Sequence, residues 1–201
     1  KVCSTFDSSP QLGSIGKAID IGREIFAQAT VPLVVGAPQL KRYTAFGHLF
    51  AAYQGKVYRI DRHPVMSRHP VTPMTESDLT VHLAHQTRTP ISLIGLDVLT
   101  RGEPMVAAAE GIVMLDVADA VTQRAAGRQL LRMAEQSEPF MVGSSGIEYA
   151  LLQAWSEAGV VPGRAEFPPL PGVGRIAAVS GSCSPTTERQ IRFALDHGFD
   201  G

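Results

Sequence analysis

The chain has 201 residues, and its 18 Lys+Arg against 19 Asp+Glu give a formal net charge of −1, with 44% hydrophobic residues. A chain of this length can bury a sizeable core, and its scattered basic residues exclude the basic patch that nucleic-acid-binding proteins carry. No apolar run approaches the roughly 20 residues that span a bilayer and no secretory leader pattern opens the sequence, so we expect neither membrane nor nucleic-acid partners. Cys3 and Cys183 are too few for a disulfide framework, so we expect a cytoplasmic protein.

The first sixteen residues, KVCSTFDSSPQLGSIG, are predicted to form a binding loop between a strand and a helix. A strand ending at Cys3 would leave several hydroxyls and one carboxylate exposed after it. Gly13-Ser14 then opens a helix, whose unpaired N–H groups attract anions or polyols. An ordinary Ser/Asp-rich capping loop is the alternative that the residues leave open.

Short apolar runs then alternate with segments of helical period, which is typical of an α/β fold with a mostly parallel sheet and flanking helices. The predicted strands are 31–36, 91–95, 112–117 and 140–143, and the predicted crossover helices are 15–29 and 120–134. We expect right-handed crossovers between the strands.

An inserted β-hairpin is predicted where 43–53 and 56–60 flank Gln54-Gly55. The loop 62–74 follows it, stiffened by three prolines, and Thr75 is predicted to cap the next helix. The loop is polar and cationic and is therefore a candidate ligand lid, although a solvated connector has the same composition.

A second α/β domain is predicted to begin near the end of the chain. Residues 161–175 read as a linker because the stretch 160–174 holds four prolines and three glycines. A strand from Ile176 and a turn rich in serine then lead into a helix at Pro185, a turn that could accept phosphate or need no ligand at all. The predicted domains are therefore 1–160 and 176–201.

Three motifs occur in a characteristic order: CSTFDSS with GSIG (3–9 and 13–16), HPVTPMTESD (69–78) and VSGSCS (179–184). In this combination the chain resembles the four-carbon acid sugar kinase family. The resemblance implies an ATP-dependent kinase that phosphorylates a hydroxyl of a small sugar acid such as a threonate, an erythronate or an oxo-tetronate. It also implies two α/β domains, the first for the sugar acid and the second for the nucleotide. The opening Asp-Asp-Leu-Thr-Gly motif and the late glycine-rich motif of that family are absent, so we expect this chain to be a fragment of a longer protein.

The resemblance also assigns residues. Its substrate loop falls on Lys1, Cys3, Ser4, Thr5 and Asp7, and its first nucleotide-contacting turn falls on Ser180, Gly181, Ser182 and Ser184. A sugar acid needs hydroxyl and carboxylate partners for its OH groups and a cation for its own carboxylate, which Lys1, Arg68 and His69 can supply. Mg²⁺ is expected with the nucleotide, held mainly by phosphates, because no carboxylate cluster in the sequence would bind it alone.

Asp7 is the candidate catalytic residue, with several roles open. It could accept hydrogen bonds from substrate hydroxyls, hold Arg62 or Arg68, act as the base that orients the attacking hydroxyl, or simply form a turn. His82 and His85 are interpreted as surface or half-buried structural residues, because no further ligand stands at a metal-binding spacing.

Two other functional classes stay open. A noncatalytic sugar-acid-binding protein could use the same pocket without a nucleotide. A Rossmann-type oxidoreductase could use the strand-glycine-helix turns for a dinucleotide, but no Gly-x-Gly-x-x-Gly follows any predicted strand. Homo-oligomer formation is also left open by the sequence.

Overall fold

The structure is a computed structural model that describes residues 1–101, 110–136, 140–161, 166–182 and 184–200. The chain divides into two compact units, Lys1–Gly163 and Arg164–Gly201. The predicted linker and the functions assigned to the two domains remain predictions.

The first unit contains seven described strands and five described α-helices. The strands are β1 (Thr30–Val34), β2 (Arg42–Ala45), β3 (His48–Tyr53), β4 (Lys56–Arg59), β5 (Ile91–Ile94), β6 (Gly111–Leu115) and β7 (Val142–Gly143). The helices are α1 (Ile15–Ile25), α2 (Leu79–Ala84), α3 (Leu96–Leu99), α4 (Ala120–Gln136) and α5 (Ser145–Glu157).

Four strands form a parallel sheet in the order β5-β6-β1-β7. Strand β6 is buried along its whole length and β1 along four of its five residues, which is why both read as continuous apolar runs in the sequence. The predicted α/β class is confirmed, and each predicted strand of this sheet is found, ending one or two residues earlier than predicted except for the last, which keeps only Val142–Gly143.

Helices cover both faces of the parallel sheet. One buried apolar cluster joins α1 and α2 to the sheet and includes Ile19, Leu33 and Leu83. A second cluster joins α4 and α5 to it and includes Leu115 and Leu130. The fold thus leaves the carboxyl ends of the strands and the loops after them free to carry a site.

The predicted hairpin is wrong in one respect, because its first arm is two strands rather than one. Strands β2, β3 and β4 form a three-stranded antiparallel sheet, and the chain turns at Phe46 and Gly47, both at positive φ (50° and 79°). The apolar run 43–53 hides this turn, which depends on a distant contact: the Gly47 N–H donates to the Asp116 carboxylate at 3.3 Å.

Two further predicted strands are absent from the described residues. Residues 1–3 form no strand, although the Val2 N–H donates to the Gly143 carbonyl at 2.8 Å. Strand β7 is only two residues long, and this one backbone hydrogen bond from Val2 is not extended into a strand. Residues 175–182 form none either, and no other described strand lies in the second unit to pair with them.

The predicted cap of α2 is also wrong. Asp78, not Thr75, is the N-cap, and its carboxylate accepts hydrogen bonds from Thr80 N (2.9 Å) and Val81 N (3.4 Å). An ionised carboxylate bonds more strongly than a neutral hydroxyl, which favours the later start.

A close approach of two loops fixes the start of α5. Ser144 caps the helix and its hydroxyl donates to Val35 O at 2.6 Å. A Cβ at position 146 would overlap the carbonyl oxygen of Gly36. Helix α5 can therefore begin beside the end of β1 only because residue 146 is glycine.

We expect Gly146→Ala to lower the free energy of unfolding by about 1–3 kcal/mol, because the backbone must move to admit the methyl group. Urea unfolding of the variant measures this. Gly172→Ala is the matched control, since a Cβ there meets nothing within 4 Å. Equal stability of the two variants would contradict the prediction.

The described part of the second unit contains the helix α6 (Pro185–Asp196), with Pro185 in its first turn as predicted and Ser184 as N-cap. None of its residues is buried within the described chain. In neither unit does a described helix have the length and apolar character needed to cross a bilayer.

Candidate functional site

The opening loop is built on a buried aromatic ring. The Phe6 N–H donates to Cys3 O at 3.1 Å to close a tight turn, and Phe6 itself has φ 56° while its side chain is fully buried. A left-handed conformation at a residue other than glycine costs about 1–3 kcal/mol and persists only where its surroundings enforce it. The buried ring supplies part of that enforcement and so fixes Thr5 and Asp7 on either side.

Three side chains of this loop form a hydrogen-bonded row. The Thr5 hydroxyl donates to Asp7 Oδ1 at 2.6 Å, and the Cys3 sulfur lies 2.9 Å from the same hydroxyl. Thr5 is buried and Asp7 half-buried. The Asp7 carboxylate thus lies at the protein surface with one oxygen firmly held.

The proline-stiffened loop contacts this row through Thr72. Its hydroxyl donates to Asp7 Oδ2 over 3.5 Å and lies 3.2 Å from His69 Nδ1. The same His69 nitrogen accepts the Thr72 N–H at 3.0 Å. The structure therefore brings Asp7 and His69, which the sequence assigned to the same site, into one cluster. Thr72 was not among the predicted site residues, although a hydroxyl three residues after His69 in a stiff loop is a usable signal.

The remaining predicted substrate residues are not joined to this cluster by side-chain hydrogen bonds. Lys1 is exposed, with its ammonium 3.8 Å from the Glu148 carboxylate. Ser4 is half-buried and Arg68 is exposed. Across the described ranges Asp7 forms no ion pair, so the structure does not show the arginine-holding role that the sequence left open for it.

A second layer lies behind the loop. The Ser8 hydroxyl is buried, lies 2.9 Å from His82 Nε2, donates to Phe6 O at 3.0 Å, and accepts from Gln86 Nε2 at 2.9 Å. Burial lowers the pKa of His82, and the nearby His85 lowers it further. The interpretation of His82 as a surface or half-buried residue is wrong: it is buried, because α2 packs this face against the loop. His85 is exposed.

Asp116 is a buried carboxyl at the end of β6 that sequence reasoning missed. It is fully buried, and its oxygens accept the Gly47 N–H at 3.3 and 3.4 Å. Burial raises its pKa to about 6, although hydrogen bonds from backbone groups of Gly47, Phe46 and Leu96 oppose the shift. The signal was available, because Asp116 is the one charged residue in the apolar run 112–117.

The predicted nucleotide turn lies in the second unit. Ser180 and Gly181 are exposed. Ser184 Oγ accepts the Thr187 N–H at 3.2 Å, and the Thr187 hydroxyl donates to Ser182 Oγ at 2.9 Å. Cys183 lies outside the described residues. Hydroxyls thus gather at the N-terminus of α6, where a helix favours negative charge.

No group of three or more His, Cys, Asp and Glu side chains that could hold a metal ion lies in the described part of the chain. Asp7 is the single carboxylate in the cluster with Thr72 and His69. A divalent cation bound there would need most of its ligands from elsewhere, and substrate phosphates are oxygen donors of the kind that Mg²⁺ prefers.

Comparison with known proteins shows which families and chains this sequence is similar to. A model of the family described as "Sugar-binding N-terminal domain" matches residues 1–151. The chain is 51% identical over 205 residues to a 3-oxo-isoapionate kinase of Paraburkholderia graminis, covering 99% of this chain and 43% of that one. It is 33% identical over 204 residues to a 3-oxo-tetronate kinase of Methylobacterium radiotolerans, covering 96% and 46%.

A solved structure supports the fold. A Salmonella typhimurium LT2 protein, provisionally named a tRNA synthase, matches with a TM-score of 0.71 and 26% identity, over 98% of this chain and 45% of that one. The chain thus spans less than half the length of each of these relatives.

Proposed function

Because the chain belongs to the family of sugar-binding N-terminal domains, we propose that its opening loop binds a small sugar acid in a full-length kinase that transfers phosphate from ATP to a hydroxyl of that acid. The observation that carries the proposal is the 51% identity to a 3-oxo-isoapionate kinase over 99% of the chain. The same identity favours 3-oxo-isoapionate over 3-oxo-tetronate, since the 3-oxo-tetronate kinase is 33% identical.

The cluster around Asp7 suits a polyhydroxy ligand. Each carboxylate oxygen accepts one protein hydroxyl, from Thr5 and from Thr72. A carboxylate has about four lone-pair sites, so acceptor capacity is left for a substrate hydroxyl. Asp7 would then accept the hydrogen bond of the hydroxyl that attacks the phosphate and take its proton as transfer proceeds.

Cationic and hydroxyl groups nearby would hold the rest of the acid. In this proposal Lys1, Arg68 and His69 face the substrate carboxylate, and Cys3 and Ser4 complete the loop. Lys1 and Arg68 are both exposed, and Lys1 would turn from Glu148, 3.8 Å away, to make such a contact.

Ser180, Gly181, Ser182 and Ser184 are proposed to contact the nucleotide phosphates. The hydroxyls at the start of α6 are donors of the type that phosphate accepts, whereas the Thr187 and Glu188 N–H groups already donate to Ser184. Bound Mg²⁺ would supply charge neutralisation between the phosphates, and we propose that phosphate oxygens form most of its ligand shell. A cytoplasmic location and self-association of the full-length protein remain predictions.

A coupled ADP-release assay on the full-length protein tests the proposal, with 3-oxo-isoapionate, 3-oxo-tetronates and tetronates as the panel. We expect ADP release to depend on one of these acids. Binding of an acid by calorimetry without ADP release would favour the noncatalytic sensor. Reduction of NAD(P)⁺ by an acid, with no use of ATP, would favour the oxidoreductase.

A further inference from the structure

Ser8 of the opening loop contacts His82 and Gln86 of the segment behind that loop, and these three residues are here called the Ser8 network. We propose that this network is a positioning device for the sugar-acid site: His82 and Gln86 hold the Ser8 hydroxyl, and Ser8 in turn fixes the carbonyl of Phe6. The inference rests on the proposed function for the identity of the ligand. Its geometry comes from contacts that are independent of that function.

The proton of each hydrogen bond in the network can be assigned. Gln86 Oε1 accepts the Gly16 N–H at 3.2 Å, which turns the amide nitrogen of Gln86 toward Ser8 at 2.9 Å. The Phe6 carbonyl can only accept, so the single proton of Ser8 is donated to it at 3.0 Å. Ser8 Oγ then has one lone pair left, which accepts an N–H from His82 Nε2 at 2.9 Å. The network therefore selects the His82 tautomer that carries its proton on Nε2.

Phe6 links the network to the reacting part of the site. Its ring is fully buried and meets the His82 imidazole edge to face, with centroids 6.1 Å apart. His82 therefore holds Phe6 in two ways. Its ring packs against the Phe6 ring, and it orients the Ser8 hydroxyl that donates to the Phe6 carbonyl. Because Phe6 has a φ of 56°, release of these contacts would let the turn relax and carry Thr5 and Asp7 with it.

The network also ties together the two loops of the site. His82 and Gln86 belong to α2 and the residues after it, and the proline-stiffened loop with His69 and Thr72 precedes that helix. Asp7 and Thr72 meet over 3.5 Å, a long hydrogen bond that a small displacement would break. A shift of about 1 Å between the loops is enough to lower a catalytic rate 100-fold.

The test uses the full-length protein with His82→Leu, His82→Gln and, as matched control, His85→Leu on the exposed side of the same segment. We expect His82→Leu to lower kcat/KM for the sugar acid about tenfold or more and leave KM for ATP within about twofold. His82→Gln should recover most of the loss, because its amide nitrogen can donate to Ser8. His85→Leu should behave as the wild type.

Two outcomes would overturn the positioning role. One is an unchanged kcat/KM for the sugar acid in folded His82→Leu while the wild type is active; the other is equal impairment of the Leu and Gln variants. Absence of ADP release in the wild type would instead contradict the proposed function.

If His82→Leu does not fold, Ser8→Ala replaces it. The ¹⁵N NMR spectrum of His82 then tests, without any activity assay, whether its Nε2 proton is held by Ser8. We expect a protonated, slowly exchanging Nε2 in the wild type and a rapidly exchanging one in Ser8→Ala. A His82 protonated on Nδ1 alone in the wild type would refute the assignment.

Discussion

Asp7→Asn is expected to lower kcat/KM of the full-length protein for its sugar acid by about 100-fold or more. The amide keeps the size of the side chain and an oxygen for the Thr5 hydroxyl, which lies 2.6 Å from Oδ1. It cannot take a proton from the substrate hydroxyl, and general base catalysis contributes about 10²–10⁴ in rate. We expect the loss mainly in kcat, measured by ADP release under saturating ATP.

Asp20→Asn is the matched control for this variant. Asp20 on α1 also accepts two threonine hydroxyls, from Thr87 at 2.6 Å and Thr89 at 2.9 Å, and it does not belong to the opening loop. An Asp7→Asn protein that keeps its kcat within about threefold of the wild type would show that Asp7 only shapes the turn. Equal losses in both variants would point to a general effect on stability.

The sheet could be predicted because its strands are defined by local sequence. The runs around Leu33 and Met114 are apolar on both faces, as a sheet with helices on each side requires. Gly, Pro and Asp at their ends placed the boundaries to within two residues. The motif order likewise led to the family without a structure.

The errors arise where a distant partner decides the local structure. The turn at Phe46 and Gly47 divides what reads as one β run, and it is held by Asp116, 69 residues away from Gly47 in sequence. Residues 1–3 form no strand because β7 offers only two residues to pair with. Neither contact leaves a periodic signal in the chain.

The candidate site was predicted in its parts but not in its connections. Asp7 and His69 were both expected in the site, whereas Thr72, which touches both, was not. The pairing of Ser8 with His82 spans 74 positions and depends on how α2 packs. Helical spacing assigns His82 to one face of α2, but it carries no information that the opening loop covers that face.

Asp116 is expected to make the first unit less stable as the pH rises from about 4 to about 6. Burial raises the pKa of Asp116 from 3.8 to about 6, so in this window the folded state binds a proton that the unfolded state has released. Stability falls with pH wherever the folded state binds more protons. A shift of about 2 units corresponds to about 3 kcal/mol, fully lost above pH 6.

Urea unfolding between pH 4 and 7, followed by the fluorescence of Trp155, the single tryptophan of the chain, measures this effect. Asp116→Asn should remove the fall, since an amide does not titrate in this range. The substitution would also place an amide N–H₂ among backbone donors such as Gly47 N. This lowers the free energy of unfolding by about 1 kcal/mol, and by the same amount at every pH.

Asp61→Asn provides a control of opposite sign. The hydrogen bond from Arg59, at 2.9 Å, lowers the pKa of Asp61, so the stability that Asp61 contributes is present above its unfolded pKa and is lost as the pH falls through its folded pKa. Both pKa values of Asp61 lie at or below 3.8, so removing Asp61 should weaken the rise of stability with pH only below about pH 4, and the profile of this variant is extended into that range. Removing Asp116 should instead strengthen the rise between pH 4 and 7. Parallel pH profiles for the wild type and Asp116→Asn would mean that Asp116 is ionised in the folded protein throughout this range. The backbone donors around Gly47 would then outweigh the cost of burying its charge.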